Sequence, residues 1–294
     1  MSHASPLRYP GGKGKLTQFI KLLLDKNDLH DIHYAEPYAG GSGVALTLLY
    51  SEYATRIYIN DLDRAIFAFW TSVVDHTEEL CRLVRNRPLS VNEWRRQRKV
   101  LARQDDASLV DLGFAAFYLN RVNRSGIITG GLIGGLEQKG DWGVDARFNR
   151  AELIERIEKV ARYRGRISVS NQDASDFLQR VVAKLPAQSL SYLDPPYYVK
   201  GQHRLYANYY LPKDHAKVKR IVAALERPWI VSYDATAEIL DLYDDYRRIV
   251  YGVQYSAADR YRGAEVMFFS PLLRVPRVKD PASVGRKRRL AASI

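Results

Sequence analysis

The stretch His33-Tyr34-Ala35-Glu36-Pro37-Tyr38-Ala39-Gly40-Gly41-Ser42-Gly43, followed by Val44-Ala45-Leu46-Thr47-Leu48-Leu49-Tyr50, decides the fold. It reads as a strand, a glycine loop and an apolar helix, the unit that places backbone N–H groups and a helix N-terminus around a nucleotide-like ligand. The next strand, Arg56-Ile57-Tyr58-Ile59-Asn60-Asp61, ends on an acid, where such sheets hold the hydroxyls of a ribose. Two βα units in succession predict a parallel α/β sheet.

Between about Ile66 and Ala161 the pattern changes. Glu79 to Arg103 and Leu109 to Arg121 carry helical apolar spacing with many arginines, and a glycine-rich stretch runs from Gly126 to Gly143. This predicts an inserted, mostly helical domain over 66–161 that carries a β-hairpin. Sheet-forming units resume with Arg166 to Asp173, Ser189 to Leu193 and Pro228 to Ser232, with a helix over Pro212 to Leu225 and a final strand pair near Tyr246–Val253 and Glu265–Phe269. The catalytic sheet is therefore expected to be discontinuous, 1–65 with 162–275. Residues 276–294, which include Arg286-Lys287-Arg288-Arg289, lack periodicity and read as a disordered basic tail.

The formal charge of +12 over 294 residues would concentrate a polyanion near the surface, nucleic acid being the obvious one. Generic basicity for solubility is the alternative. A lone cysteine, Cys81, excludes an internal disulfide and a multi-cysteine zinc site, so no metal is expected. No apolar run reaches the ~20 residues of a membrane span and no signal segment opens the chain, which leads us to expect a cytoplasmic protein with no membrane partner.

The run Leu190-Ser191-Tyr192-Leu193 leads directly into Asp194-Pro195-Pro196-Tyr197. Ligands bind at the carboxyl ends of strands in open α/β sheets, and two prolines fix the backbone while removing two N–H donors. The turn thus offers acceptors. The Asp194 carboxylate and the Pro195 carbonyl suit an exocyclic amine whose lone pair must be localised for attack on a methyl group, and Tyr197 offers a face on which a base can stack. A proline turn capped by an aspartate is the alternative.

In order along the chain, Leu7-Arg8-Tyr9-Pro10-Gly11-Gly12-Lys13, Glu36 to Gly43, Asn60-Asp61, Asp173, Asp194 to Tyr197 and Val231-Ser232-Tyr233-Asp234 resemble the motifs of the Dam-like, D12-class, alpha-group DNA adenine-N6 methyltransferases over nearly the whole length. The resemblance implies a Rossmann-like sheet and S-adenosylmethionine as methyl donor. It also implies that Tyr9, Lys13, Tyr38, Gly40, Asp61, Asp173 and Asp194 line the cofactor pocket. Lys13 would lie near the methionine carboxylate, Asp61 at the ribose and Asp173 at the adenine amine; Asp176 rivals Asp173. Read singly, Lys13 could be a surface charge, and Asp61 and Asp173 helix caps. Asp194, Pro195, Pro196 and Tyr197 would do the chemistry on an adenine flipped out of double-stranded DNA.

The insert departs from the family pattern. The best-known GATC enzymes carry an aromatic wedge where Arg124 stands and a guanine-reading arginine near Thr129, so no target sequence is assigned. Arg8, Arg121, Asn123, Arg124 and Ser125 are the candidate DNA contacts, with an ordinary turn as the alternative for 123–126. The expected partners are duplex DNA and, functionally, a cognate restriction endonuclease, with the enzyme working as a monomer. Methylation of cytosine N4 or of an RNA base, and a silent DNA-binding relative, are the competing functions.

Overall fold

The computed structural model describes residues 4–8, 13–198, 210–254 and 262–285. Tyr9 with the rest of its Tyr9-Pro10-Gly11-Gly12 signature, and residues 286–294 of the basic tail, lie outside the described residues. Seven strands form one sheet: β1 (Ile32–Glu36), β2 (Ala54–Asn60), β3 (Ile167–Ser170), β4 (Ser189–Leu193), β5 (Trp229–Asp234), β6 (Arg247–Gln254) and β7 (Arg262–Phe269). Their order is β3-β2-β1-β4-β5-β7-β6, parallel except that β7 runs against both of its neighbours. The expected α/β, Rossmann-like sheet is present.

Strand order reverses between β1 and β4, which pair in parallel through Tyr34 and Leu190. A crevice therefore opens beyond the carboxyl ends of these strands, at Glu36 on one side and Leu193 on the other. Alternate residues leave the central strands toward opposite faces. Tyr34, Tyr192, Ile230 and Met267 enter one apolar cluster; Ala35, Leu193, Val231 and Phe268 enter the other. All five residues of β4 and all six of β5 are buried, as strands covered on both faces require.

The first face is covered by α1 (Thr17–Lys26), α2 (Gly43–Tyr50) and the five helices between β2 and β3. These are α3 (Arg64–Asp75), α4 (Thr77–Asn86), α5 (Val91–Ala102), α6 (Leu109–Val122) and α7 (Arg150–Ala161). Phe69 of α3 stacks on Phe117 of α6, centroids 5.5 Å apart. The two helices meet at Gly113, where a Cβ would lie 2.5 Å from the Ala68 carbonyl oxygen, so glycine alone permits the approach. Helices α8 (Ala174–Arg180), α9 (Pro212–Ala223) and α10 (Ala237–Leu242) cover the second face.

Several expectations are corrected here. The helical spacing over Glu79–Arg103 resolves into two helices, because Pro88 cannot continue α4; Ser90 then caps α5 by accepting from the Glu93 amide at 3.2 Å. The tail does not begin at 276. Val278, Ala282 and Val284 pack on the core, and Asp280 caps a short helix at Pro281–Ser283. The hairpin is reduced to one antiparallel bridge, Asn123 to Leu132, with Gly131 accepting from the Arg124 amide at 2.9 Å. Ile133 also donates to the Val122 carbonyl at 2.9 Å, and side-chain bonds close the rest of the loop.

Asn123 is the centre of that closure. It is fully buried; Oδ1 accepts from Trp94 Nε1 at 2.8 Å, and Nδ2 donates to the carbonyls of Ile127 at 3.0 Å and Ile128 at 2.8 Å. The expected DNA contact at Asn123 is thereby corrected, since its amide is spent inside the protein. Asn120, one turn earlier on α6, does the same for the N-terminal segment, accepting from the Arg8 amide at 2.8 Å and donating to the Arg8 and Gly126 carbonyls at 2.6 and 2.7 Å. Among the described residues, no helix is long and apolar enough to cross a membrane. Replacement Asn123→Ala should lower the unfolding free energy by about 2–4 kcal/mol, because it strands a buried indole N–H and two carbonyls. Urea denaturation measures this, and a loss below about 0.5 kcal/mol would contradict the role assigned to Asn123.

Candidate active site

The loop after β1 is shaped by two left-handed residues, Gly40 at φ 44° and Ser42 at φ 45°. Its neck is fastened by Asp61, whose two oxygens accept from the amides of Gly40 at 2.8 Å and Asp63 at 3.0 Å. Asp61 is no helix cap; that position belongs to Asp63, which accepts from Ala65 at 2.8 Å. Burial pushes the Asp61 carboxyl up to about 7, only partly opposed by the two amides, with the Asp63 charge adding to the rise. Trp70 Nε1 donates to the Gly40 carbonyl at 2.9 Å, so the loop is held from α3 as well.

Asn60 joins three strand ends. Its Nδ2 donates to the carbonyls of Pro37 and Gln172, each at 3.0 Å, while Oδ1 accepts from the Gln172 amide and Ser170 Oγ, each at 2.9 Å. Beside it, Gln172 Oε1 is buried without a partner among the described residues, an acceptor waiting for a donor. Asp173 caps α8 by accepting from the Ser175 amide at 2.9 Å, the cap the residue pattern allowed, and lies 3.8 Å from Lys217 Nζ. Its rival Asp176 is exposed on the first turn of that helix. Tyr38 meets the Tyr210 hydroxyl at 3.0 Å.

At the end of β4, Asp194 is half-buried, its side chain 27% exposed. Ser232 Oγ donates to Asp194 Oδ1 at 2.9 Å and is itself held by the Tyr192 hydroxyl at 2.8 Å. Lys13 Nζ lies 3.3 Å from the same oxygen, 3.1 Å from Glu265 Oε1 and 2.6 Å from the Tyr197 hydroxyl. Both described partners of Asp194 thus meet Oδ1, and Oδ2 has none among the described residues. Burial lifts the Asp194 pKa, Lys13 pulls it back, and Glu265 adds to the lift; the net direction is up. For Lys13 burial alone would lower the pKa, but the two carboxylates outweigh it and hold the ammonium charged.

The structure thus brings Lys13, Asp194 and Tyr197 into direct contact and sets Tyr38, Gly40 and Asp61 around the β1 loop. Lys13, expected at a cofactor carboxylate, is held by the carboxylates of the protein itself. Of the expected DNA contacts, Arg124 and Ser125 are exposed on the turn, Ser125 at φ 56°. Arg121 is half-buried, donating to the carbonyls of Arg147 at 2.9 Å and Pro6 at 3.4 Å; burial and the charges of Arg8, Arg156 and Arg147 push it down to about 10. Arg8 keeps one buried guanidinium nitrogen unpartnered among the described residues. Sequence reasoning missed Glu265. Its signal was a lone acid in the apolar strand Ala264-Glu265-Val266-Met267-Phe268-Phe269, where a charge needs partners.

Glu36, at the end of β1, is buried and accepts from the Ala45 amide of α2 at 3.1 Å. Burial raises its pKa from 4.5 to about 8, beyond what that amide offsets. A carboxyl raised on folding contributes stability that is full below about pH 4.5 and is lost as pH climbs through about 8. Glu36→Gln removes this dependence, so the variant should gain on the wild type as pH rises across that window in urea titrations. A stability difference constant with pH would contradict the assignment.

No curated protein sequence matches the chain. Among solved structures, it is similar to a candidate RNA methyltransferase from Pyrococcus horikoshii, with 12% identity, a TM-score of 0.41 and coverage of 90% of this chain and 85% of that one. It is also similar to the rRNA methyltransferase aviRa from Streptomyces viridochromogenes, with 11% identity, a TM-score of 0.38 and coverage of 95% and 89%. The family model of the D12 class N6 adenine-specific DNA methyltransferases matches residues 9–257, most of the chain. With its strand order, its glycine loop and its Asp194 turn accounted for, the protein belongs to the D12 class N6 adenine-specific DNA methyltransferase family and is a methyltransferase.

Proposed function

We propose that the protein methylates the N6 amine of an adenine extruded from duplex DNA, with S-adenosylmethionine as donor. The observation that carries this reading is Asp194, with Oδ1 fixed by Ser232 and Lys13 and Oδ2 without a described partner. A carboxylate so held accepts a hydrogen from an amine in one orientation only. Together with the Pro195 carbonyl it draws the amine lone pair out of the ring. The lifted pKa of Asp194 also makes it a better acceptor for the proton that N6 must shed. Tyr197, its hydroxyl held by Glu265 and Lys13, supplies the stacking face, worth about 1–3 kcal/mol per base.

The residues at the ends of β1 to β3 fit the donor. Asp61 and Asp173 suit hydroxyl and amine hydrogens, and the buried Gln172 Oε1 is an orphaned acceptor close to them in sequence. Its bound sulfonium would supply a methyl group already activated for transfer. The protein then has only to orient, desolvate and accept a proton. Extruding the base costs a few kcal/mol, which phosphate contacts must supply. The net charge of +12, the exposed Arg124 and the group Arg8, Arg121, Arg147 and Arg156 support that supply.

Incubation with labelled S-adenosylmethionine and separate DNA and RNA, followed by digestion to nucleosides, should place the label in N6-methyladenine from DNA. Label confined to RNA or to N4-methylcytosine would overturn the reading. Asp194→Ala should lower kcat by at least about a thousandfold while DNA binding stays within about threefold. Arg124→Ala should weaken DNA capture and reduce the salt slope of binding by about 1, as loss of one phosphate contact does. Unchanged DNA affinity with weakened cofactor binding would contradict that placement of Arg124.

A further inference from the structure

Three bonds tie the Asp194–Tyr198 turn to the neighbouring strands. Ser232 of β5 holds the Asp194 carboxylate at 2.9 Å, Asp234 of β5 accepts from the Tyr198 amide at 2.9 Å, and Glu265 of β7 accepts from the Tyr197 hydroxyl at 2.5 Å. Glu265 stands opposite Asp234 in one register and opposite Tyr251 of β6 in the other. It is 3% exposed. Tyr251 donates to its Oε2 at 2.9 Å, which turns Oε1 toward Lys13 and Tyr197. Lys13 Nζ meets Tyr197 from the hydroxyl edge of its ring, 5.1 Å from the centroid and 2.6 Å from the hydroxyl. One ammonium therefore serves two carboxylates, and the Tyr197 hydroxyl is wedged between the cation and one of them.

We propose that Glu265 is a positioning residue for methyl transfer: it locks the Tyr197 ring in place for the incoming base and withholds part of the Lys13 charge from Asp194. Without Glu265, Lys13 would pair with Asp194 alone, and Asp194 would bind a proton less readily. Tyr197 would also lose the charged acceptor of its hydroxyl proton, leaving the bond from Lys13. A strut built only for stability would predict neither change. The inference rests on the methyl-transfer reading above, and its failure is separable from a failure of that reading. A wild-type chain that transfers no methyl to DNA sinks the reading, whereas an active wild type with an unaffected Glu265 variant sinks this inference alone.

The test is Glu265→Gln in the full chain, assayed for kcat, for KM toward DNA and for the acidic limb of the pH–rate profile. The expected result is a fall in kcat of about tenfold to a hundredfold with KM for DNA within about threefold, since the misplacement is felt in the reacting complex. The acidic limb should move to lower pH. Asp194 is faced by Lys13, Glu265, Ser232, Glu36, Tyr34 and Tyr192, and only the Glu265 charge changes. Combined with Tyr197→Phe, the losses should be non-additive, because the two side chains act through one bond. Should E265Q lose its cooperative melt, E265D keeps the charge and shortens the reach; its kcat should fall several-fold while the limb stays put. Wild-type kcat in both variants, or additive losses with Tyr197→Phe, would overturn the proposal.

Discussion

One ammonium group holds the active edge together. Lys13 sits between Asp194 and Glu265 at 3.3 and 3.1 Å and is almost fully buried. A buried lysine persists only where opposite charges compensate its lost hydration, and removal of one partner from such a group costs about 3–5 kcal/mol. The constraint joins positions 13, 194 and 265, the N-terminal segment, the end of β4 and the antiparallel strand β7. It explains why β7 matters to the site although it lies two strands from β4 in the sheet. Through it the N-terminal segment, the Asp194 turn and the sheet edge become one unit.

The crevice has two halves built on different principles. On the β1–β2–β3 side, backbone and loops are organised around Asn60 and Asp61, which accept from the Gln172 and Gly40 amides respectively, while Asn60 Nδ2 donates to the Pro37 carbonyl. On the β4–β5–β7 side, the geometry is set by side chains: Ser232, Lys13 and Glu265 bond groups of the Asp194 turn directly, and Tyr192 holds Ser232. A nucleoside-bearing donor suits the first half. A planar amine suits the second. The two halves adjoin at the strand-order reversal between β1 and β4.

Much of this was legible in the residues. Central strands β4 and β5 read plainly because burial on both faces leaves continuous apolar runs, and the β1 loop read plainly because its glycine cluster separates a strand-like run from an apolar helical one. The helical spacing over Glu79–Arg103 was legible, and Pro88 marks where it divides into α4 and α5. Asn123 misled because a polar residue in a glycine-rich turn reads as surface; only the packing of Trp94 against it from α5 makes it interior. Glu265 was hidden for the opposite reason. Its partners lie 14, 68 and 252 residues away, and pairings at such separations leave no local signature. The core packing of Val278 and Val284 similarly depends on contacts distant in sequence, which periodicity cannot report.

The central claim is that the Asp194 edge of this fold methylates adenine in duplex DNA. Its most direct measurement is modification-aware sequencing of genomic DNA from cells expressing the wild-type chain, set beside cells expressing Asp194→Ala at equal level. The account expects N6-methyladenine at one short sequence motif in the first genome and none at that motif in the second. A genome with no new adenine methylation, or a pattern that survives Asp194→Ala, would contradict it.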